Sequence, residues 1–97
     1  MQKPTNKNIA LFEKAKAKRV KKYGQCSLYD IQRATGITPS QTSGLLSGRI
    51  RFTEAICIRL ANANLAPLKT LMVNQAEHDA EIADPLKYSD VEPDFFK

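Results

Sequence analysis

The stretch Ser27-Leu28-Tyr29-Asp30-Ile31-Gln32-Arg33-Ala34-Thr35-Gly36-Ile37-Thr38-Pro39-Ser40-Gln41-Thr42-Ser43-Gly44-Leu45-Leu46-Ser47-Gly48-Arg49 reads as two short helices and the turn between them. Ser27, with Asp30 three residues on, has the form of a capping box in which Asp replaces the usual Glu. Leu28, Ile31 and Thr35 follow at helical spacing, so a helix over 28–35 is predicted. Gly36 supplies the positive φ of a sharp turn, and Ile37 is placed to plug the core behind it. Thr38 then suits the N-cap and Pro39 the first position of a second helix, which runs through Leu45 and Leu46 to Ser47-Gly48. Two helices of about two turns each, closed by Gly48, have helix-turn-helix spacing.

Working outward, residues 8–23 are rich in Ala, Lys and Glu. On a helical wheel Ile9, Phe12, Val20 and Tyr23 share one side, with Lys16 among them, and Gly24 is the natural stop. Gly24-Gln25-Cys26 makes the first connection comparatively long. Beyond the loop Arg49-Ile50-Arg51-Phe52, Thr53 caps a fourth helix whose apolar stripe is Ile56, Leu60 and Ala63 with Cys57 and Ala61. Pro67 reopens the pattern, Leu68, Leu71, Met72 and Ala76 give a fifth helix its expected inner face, and Asp84-Pro85 should end it near Ala83. No stretch alternates in the manner of a strand, so the fold class is all-α with five helices. The expected organisation is a flexible N-terminal arm over 1–7, one helical domain over 8–83 and an extended acidic C-terminal tail over 84–97.

A length of 97 residues sets one domain as the prior, and 42% hydrophobic with 26% charged residues lies in the globular range. No apolar run reaches membrane-spanning length and the N-terminus has no signal-peptide pattern, which leads to a cytoplasmic expectation. Cys26 and Cys57 stand apart without metal-ligand spacing. His78, between Glu77 and Asp79 and one turn before Glu81, reads as part of an exposed acidic helix face rather than a metal site. No nucleophile has a histidine base at recognisable spacing and no glycine loop could cradle phosphate, so no enzyme, cofactor or metal is expected.

Charge is divided unevenly along the chain. Residues 1–60 carry twelve Lys/Arg against three acids, a net of +9, while residues 61–97 carry three Lys against seven acids, a net of −4. A basic half joined to an acidic end implies a polyanion-binding surface. The run Lys14 to Lys22 suits either a nucleic-acid patch or a solvated helix face, and Lys3 and Lys7 either a minor-groove arm or an idle terminus.

The run from Ser27 to Arg49, together with Thr53-Glu54-Ala55-Ile56-Cys57-Ile58-Arg59-Leu60-Ala61, resembles the phage-repressor-like (lambda-repressor-like) helix-turn-helix domains over roughly residues 9–75. The resemblance implies that the helix from Thr38 to Ser47 enters the major groove of an operator. Thr38, Ser40, Gln41, Ser43 and Gly44 would then read bases, while Ser27, Arg49 and Arg51 would contact phosphates. It implies a transcriptional regulator of phage, plasmid or bacterial type, a repressor by occupancy, acting as a homodimer on double-stranded DNA through the outer side of 66–83. Two positions depart from the family pattern: Gln32 stands where a small residue is usual and Thr42 where an aliphatic one is, a polar pair that could bond mutually or shift the helix angle. Two other readings remain. One is an antitoxin with the same core, whose tail, carrying Phe95-Phe96, binds a toxin as protein partner; the other is a protein-interaction module without DNA.

Overall fold

The computed structural model describes residues 5–83, 92 and 94–96. Five helices follow one another: α1 (Lys7–Tyr23), α2 (Leu28–Thr35), α3 (Pro39–Leu46), α4 (Glu54–Asn62) and α5 (Leu68–Ile82), with no strand among the described residues. Local chemistry fixes their ends. Asn6, Ser27, Thr38 and Thr53 each accept a backbone N–H of the helix they precede, which satisfies donors that would otherwise lack partners. Gly36, at φ 78°, donates its N–H to Gln32 O at 2.7 Å and turns the chain from α2 into α3.

The helices pack as α1 on α3 and α5, α2 on α3 and α4, and α4 on α5. Their common core is Phe12, Ile31, Ile37, Leu45, Phe52, Ile56, Cys57, Leu60 and Leu71. Ile37 is 1% exposed, directly behind the turn. Burial raises the pKa of the Cys57 thiol, so this cysteine is a core residue held in its neutral form.

Three apolar faces differ from the sequence-based expectation. Val20 and Tyr23 are exposed, because from Ala17 onward α1 runs past the body it packs on. Ala63 is exposed as the C-cap of α4, not part of its stripe. On α5, Leu68, Met72 and Ala76 face outward, while Leu71 and the polar Gln75 are the buried residues. At the start of α1, Ile9 packs against the core as expected, and the polar Asn8 is buried beside it at 0% exposure: its Nδ2 donates to Leu71 O at 2.8 Å and its Oδ1 accepts from Asn74 Nδ2 at 3.0 Å.

Of the expected arm over 1–7, residues 1–4 lie outside the described residues, and Asn6 and Lys7 belong to the folded body. Asn6 is 4% exposed, caps α1 and donates through Nδ2 to Gln75 Oε1 at 2.9 Å. Lys7 is already helical and lies 3.4 Å from Glu77 Oε2. Of the tail, only 92 and 94–96 fall within the described residues; there the Phe95 and Phe96 rings meet edge to face at 4.8 Å and Phe96 is 96% exposed. The remainder of the tail, including Tyr88, lies outside them.

Thr42 is fully buried on the inner side of α3, yet its Oγ1 has no hydrogen-bond partner among the described residues, Gln32 included. A desolvated hydroxyl without a partner is a net cost, and Val has nearly the same shape. Thr42→Val should therefore stabilise the fold by about 1 kcal/mol, raising the melting midpoint by roughly 4–8 °C for a domain of this size. A lower midpoint in thermal denaturation would mean that the hydroxyl has a partner in solution.

Candidate nucleic-acid interface

The outer side of α3 carries Thr38, Ser40, Gln41 and Ser43, all exposed, while Thr42 and Leu45 point into the core. The capping box of α3 is reciprocal: Thr38 Oγ1 accepts from Gln41 N, and Gln41 Oε1 accepts from Thr38 N, both at 3.1 Å. The signal was present in Thr38-Pro39-Ser40-Gln41, which has the S/T-x-x-E/Q form. Gln41 therefore holds the first turn of the helix with its carbonyl and retains its Nε2 hydrogens, which have no partner among the described residues.

Gly44 does not join this outward set. It is buried, because the chain reverses over it: Arg49 N and Ile50 N both donate to Gly44 O, at 2.9 and 3.0 Å. A Cβ on Gly44 would stand 2.7 Å from Ile50 Cγ1 and 3.3 Å from Arg49 Nη2. Gly44 is thus the seat on which the loop after α3 folds back, and it brings the Arg49 side chain against the helix. A glycine inside a helical pattern was the available sign of this close approach.

The basic residues of the loop are in different states. Arg49 is exposed and has no ion-pair partner among the described residues. Arg51 donates from Nη2 to Asp79 Oδ2 at 2.5 Å. Burial raises the Asp79 pKa, but hydrogen bonds from Arg51 and Gln75 and the charges of Arg51 and His78 outweigh it and hold the carboxyl below the ordinary carboxylate range.

Ser27, expected at a phosphate, has both of its groups engaged within the chain. Its N–H donates to Asp30 Oδ2 at 3.0 Å and its Oγ accepts from Asp30 N at 3.1 Å. The bond from the Ser27 N–H, first, and then the Ser27 hydroxyl lower the Asp30 pKa, with further help from the charge of Arg33, to which Asp30 is paired. The amino end of α2 thus already carries an anion of its own.

Arg59, which the sequence reading passed over, donates from Nη1 to Thr35 O at 3.2 Å and lies over Gly36, tying α4 to the end of α2. In α1, Lys14, Lys18, Arg19, Lys21 and Lys22 are exposed, and Arg19 and Lys22 lie 4.7 and 5.2 Å from the Tyr23 ring centre. Lys3 lies outside the described residues. His78 is half-buried rather than part of an exposed acidic face, and Asp79 beside it faces Arg51 and Gln75. No cluster of three metal-ligating side chains occurs among the described residues, and none of their helices is long and apolar enough to cross a membrane.

Comparison with protein-family models, curated proteins and solved structures finds no match to this chain.

Proposed function

We propose that the protein is a sequence-specific DNA-binding transcriptional regulator whose α2–α3 pair acts as a lambda-repressor-like helix-turn-helix, with α3 in the major groove of an operator. The observation that carries this reading is the surface of α3 itself. A short helix presents only small or amide side chains outward, Thr38, Ser40, Gln41 and Ser43, and the guanidinium of Arg49, without an ion-pair partner among the described residues, is folded against its end. Such a surface can approach base edges closely, while the adjacent cation suits a phosphate. The +9 charge of residues 1–60 agrees with a polyanionic partner. Leu68, Met72 and Val73 on the outer side of α5 offer an apolar face for pairing two copies on a symmetric site, and the reading places the protein in the cytoplasm with its DNA.

Selection of duplexes from a random pool, followed by affinity measurements at two salt concentrations, tests it. Gln41→Ala should cost about 1–3 kcal/mol at one base position and relax preference there. Gln41→Glu, which keeps an acceptor for Thr38 N, separates reading from capping: it should retain the fold and lose the base preference. Arg49→Ala should weaken all sequences alike and lower the salt slope by about one. Failure to enrich any duplex, or equal and sequence-independent losses for Gln41 and Arg49 variants, would overturn the proposal.

An antitoxin with this same core is the second reading. It is favoured by the exposed Phe95–Phe96 pair in an acidic segment, a pattern suited to a basic protein partner, and co-purification of such a partner with the full chain would support it.

A further inference from the structure

Arg49 and Arg51 stand two residues apart in one loop, yet among the described residues only Arg51 faces a carboxylate, and that carboxylate is held from behind. Asp79 Oδ1 accepts from Gln75 Nε2 at 2.7 Å. Gln75 is itself 4% exposed, and its Oε1 accepts from Phe52 N at 2.7 Å and from Asn6 Nδ2 at 2.9 Å. A chance surface pair has two mobile partners and contributes little. Here one partner is anchored to a buried amide that also fixes the backbone one residue beyond Arg51, so the carboxylate stands at a set place beside the loop.

We propose that Asp79 is a specificity-determining residue: its carboxylate occupies Arg51 in the free protein and releases it only to a DNA phosphate delivered by a fully docked duplex. The proposal rests on the DNA-binding reading of this same loop. A carboxylate oxygen and a phosphate oxygen are alternative acceptors for the same guanidinium. With loosely held, sequence-independent DNA, no phosphate is fixed within hydrogen-bonding distance of Arg51, so Arg51 stays with Asp79 and its charge is neutralised there instead of attracting the backbone. When α3 is seated, the phosphate position is fixed and the exchange can occur. Asp79 thereby weakens non-specific binding more than operator binding, which raises the ratio between them. Arg49 is available to any duplex, while Arg51 serves the docked one.

The test compares the full chain with Asp79→Asn, Arg51→Ala, the double variant and Arg49→Ala. Readouts are affinity for a random-sequence duplex and for the selected operator across a salt series, and the salt needed for elution from heparin. Asn retains an acceptor for Gln75 Nε2. Asp79→Asn is expected to bind the random duplex several-fold more tightly, with a salt slope steeper by about one, and to elute from heparin at higher salt. Its operator affinity should rise less, and the gain should vanish when Arg51→Ala is added. Arg51→Ala alone leaves the Asp79 carboxylate bare and should weaken both duplexes, the operator more because the docked phosphate contact is lost as well, whereas Arg49→Ala should weaken both alike; this comparison decides if Asp79→Asn fails to fold. Unchanged or weaker retention of a folded Asp79→Asn, a gain that survives Arg51→Ala, or a loss for Arg51→Ala on the operator no larger than its loss on random DNA would overturn the proposal. A chain that selects no operator but is retained more strongly by heparin on Asp79→Asn would refute the operator reading while upholding the Asp79–Arg51 competition.

Discussion

Gln75→Leu should lower the stability of the protein by about 3 kcal/mol, read as a fall in the urea midpoint with little change in slope. One amide bonds three groups, Asn6 Nδ2, Phe52 N and Asp79 Oδ1, and through Asp79 it reaches the Arg51 guanidinium. Leucine fills the space but leaves the Asn6 amide and the Phe52 N–H buried without acceptors, and each such loss costs about 1–3 kcal/mol. Gln75→Glu should be milder for folding, since it restores the acceptor, but it sets a second carboxylate against Asp79. A loss below about 1 kcal/mol for Gln75→Leu would show that these donors find other partners.

Gly44→Val should cost about 2 kcal/mol and weaken polyanion binding of every sequence to the same degree. The new side chain would overlap Ile50, whose Cγ1 stands 2.7 Å from the Cβ position, so the loop over the helix must lift. Lifting it carries Arg49 away from α3. Gly44→Ala makes the distinction sharper, because alanine favours a helix interior over glycine by about 1 kcal/mol. A groove-facing Gly44 would therefore be stabilised by alanine, whereas the buried Gly44 seen here should lose stability or gain much less. Denaturation of the two variants, with heparin retention measured in parallel, checks both halves of the expectation.

What was legible in the sequence follows from the kind of rule each element obeys. The bounds of α2 and the start of α3 were readable because caps and a turn glycine act within four residues, and Ser27, Gly36, Thr38 and Pro39 each state their role locally. Ile31, Ile37, Leu45, Ile56 and Leu60 were readable as core because apolar periodicity reports the buried side of a helix surrounded by others. The same rule misplaces α5. Its interior residues include Gln75, whose burial depends on partners at Asn6 and Phe52 that no window around residue 75 contains. Val20 and Tyr23 repeat the lesson from the other side, being apolar and in phase on a helix that outruns its support.

The candidate site divides in the same way. The exposure of Thr38, Ser40, Gln41 and Ser43 follows from helical phase once Thr38 is the cap. The burial of Gly44 and the pairing of Arg51 do not, since the first depends on how the next loop folds and the second on a residue 28 positions away. Counting charge treats Arg49 and Arg51 as equals, whereas their neighbours make them different.

The bonds that join Asn6 to Gln75 and Asn8 to Leu71 and Asn74 span 63 to 69 residues, so α1 is closed by α5. A nascent chain that stops short of residue 71 has α2, α3 and their caps in full, yet it lacks the acceptors for Asn6, for the Asn8 amide and for the Phe52 N–H. Contacts so distant in sequence form late. Closure of α1 is therefore postponed until synthesis reaches α5, and a ribosome stall before residue 71 would release a fragment whose first helix is left unlatched.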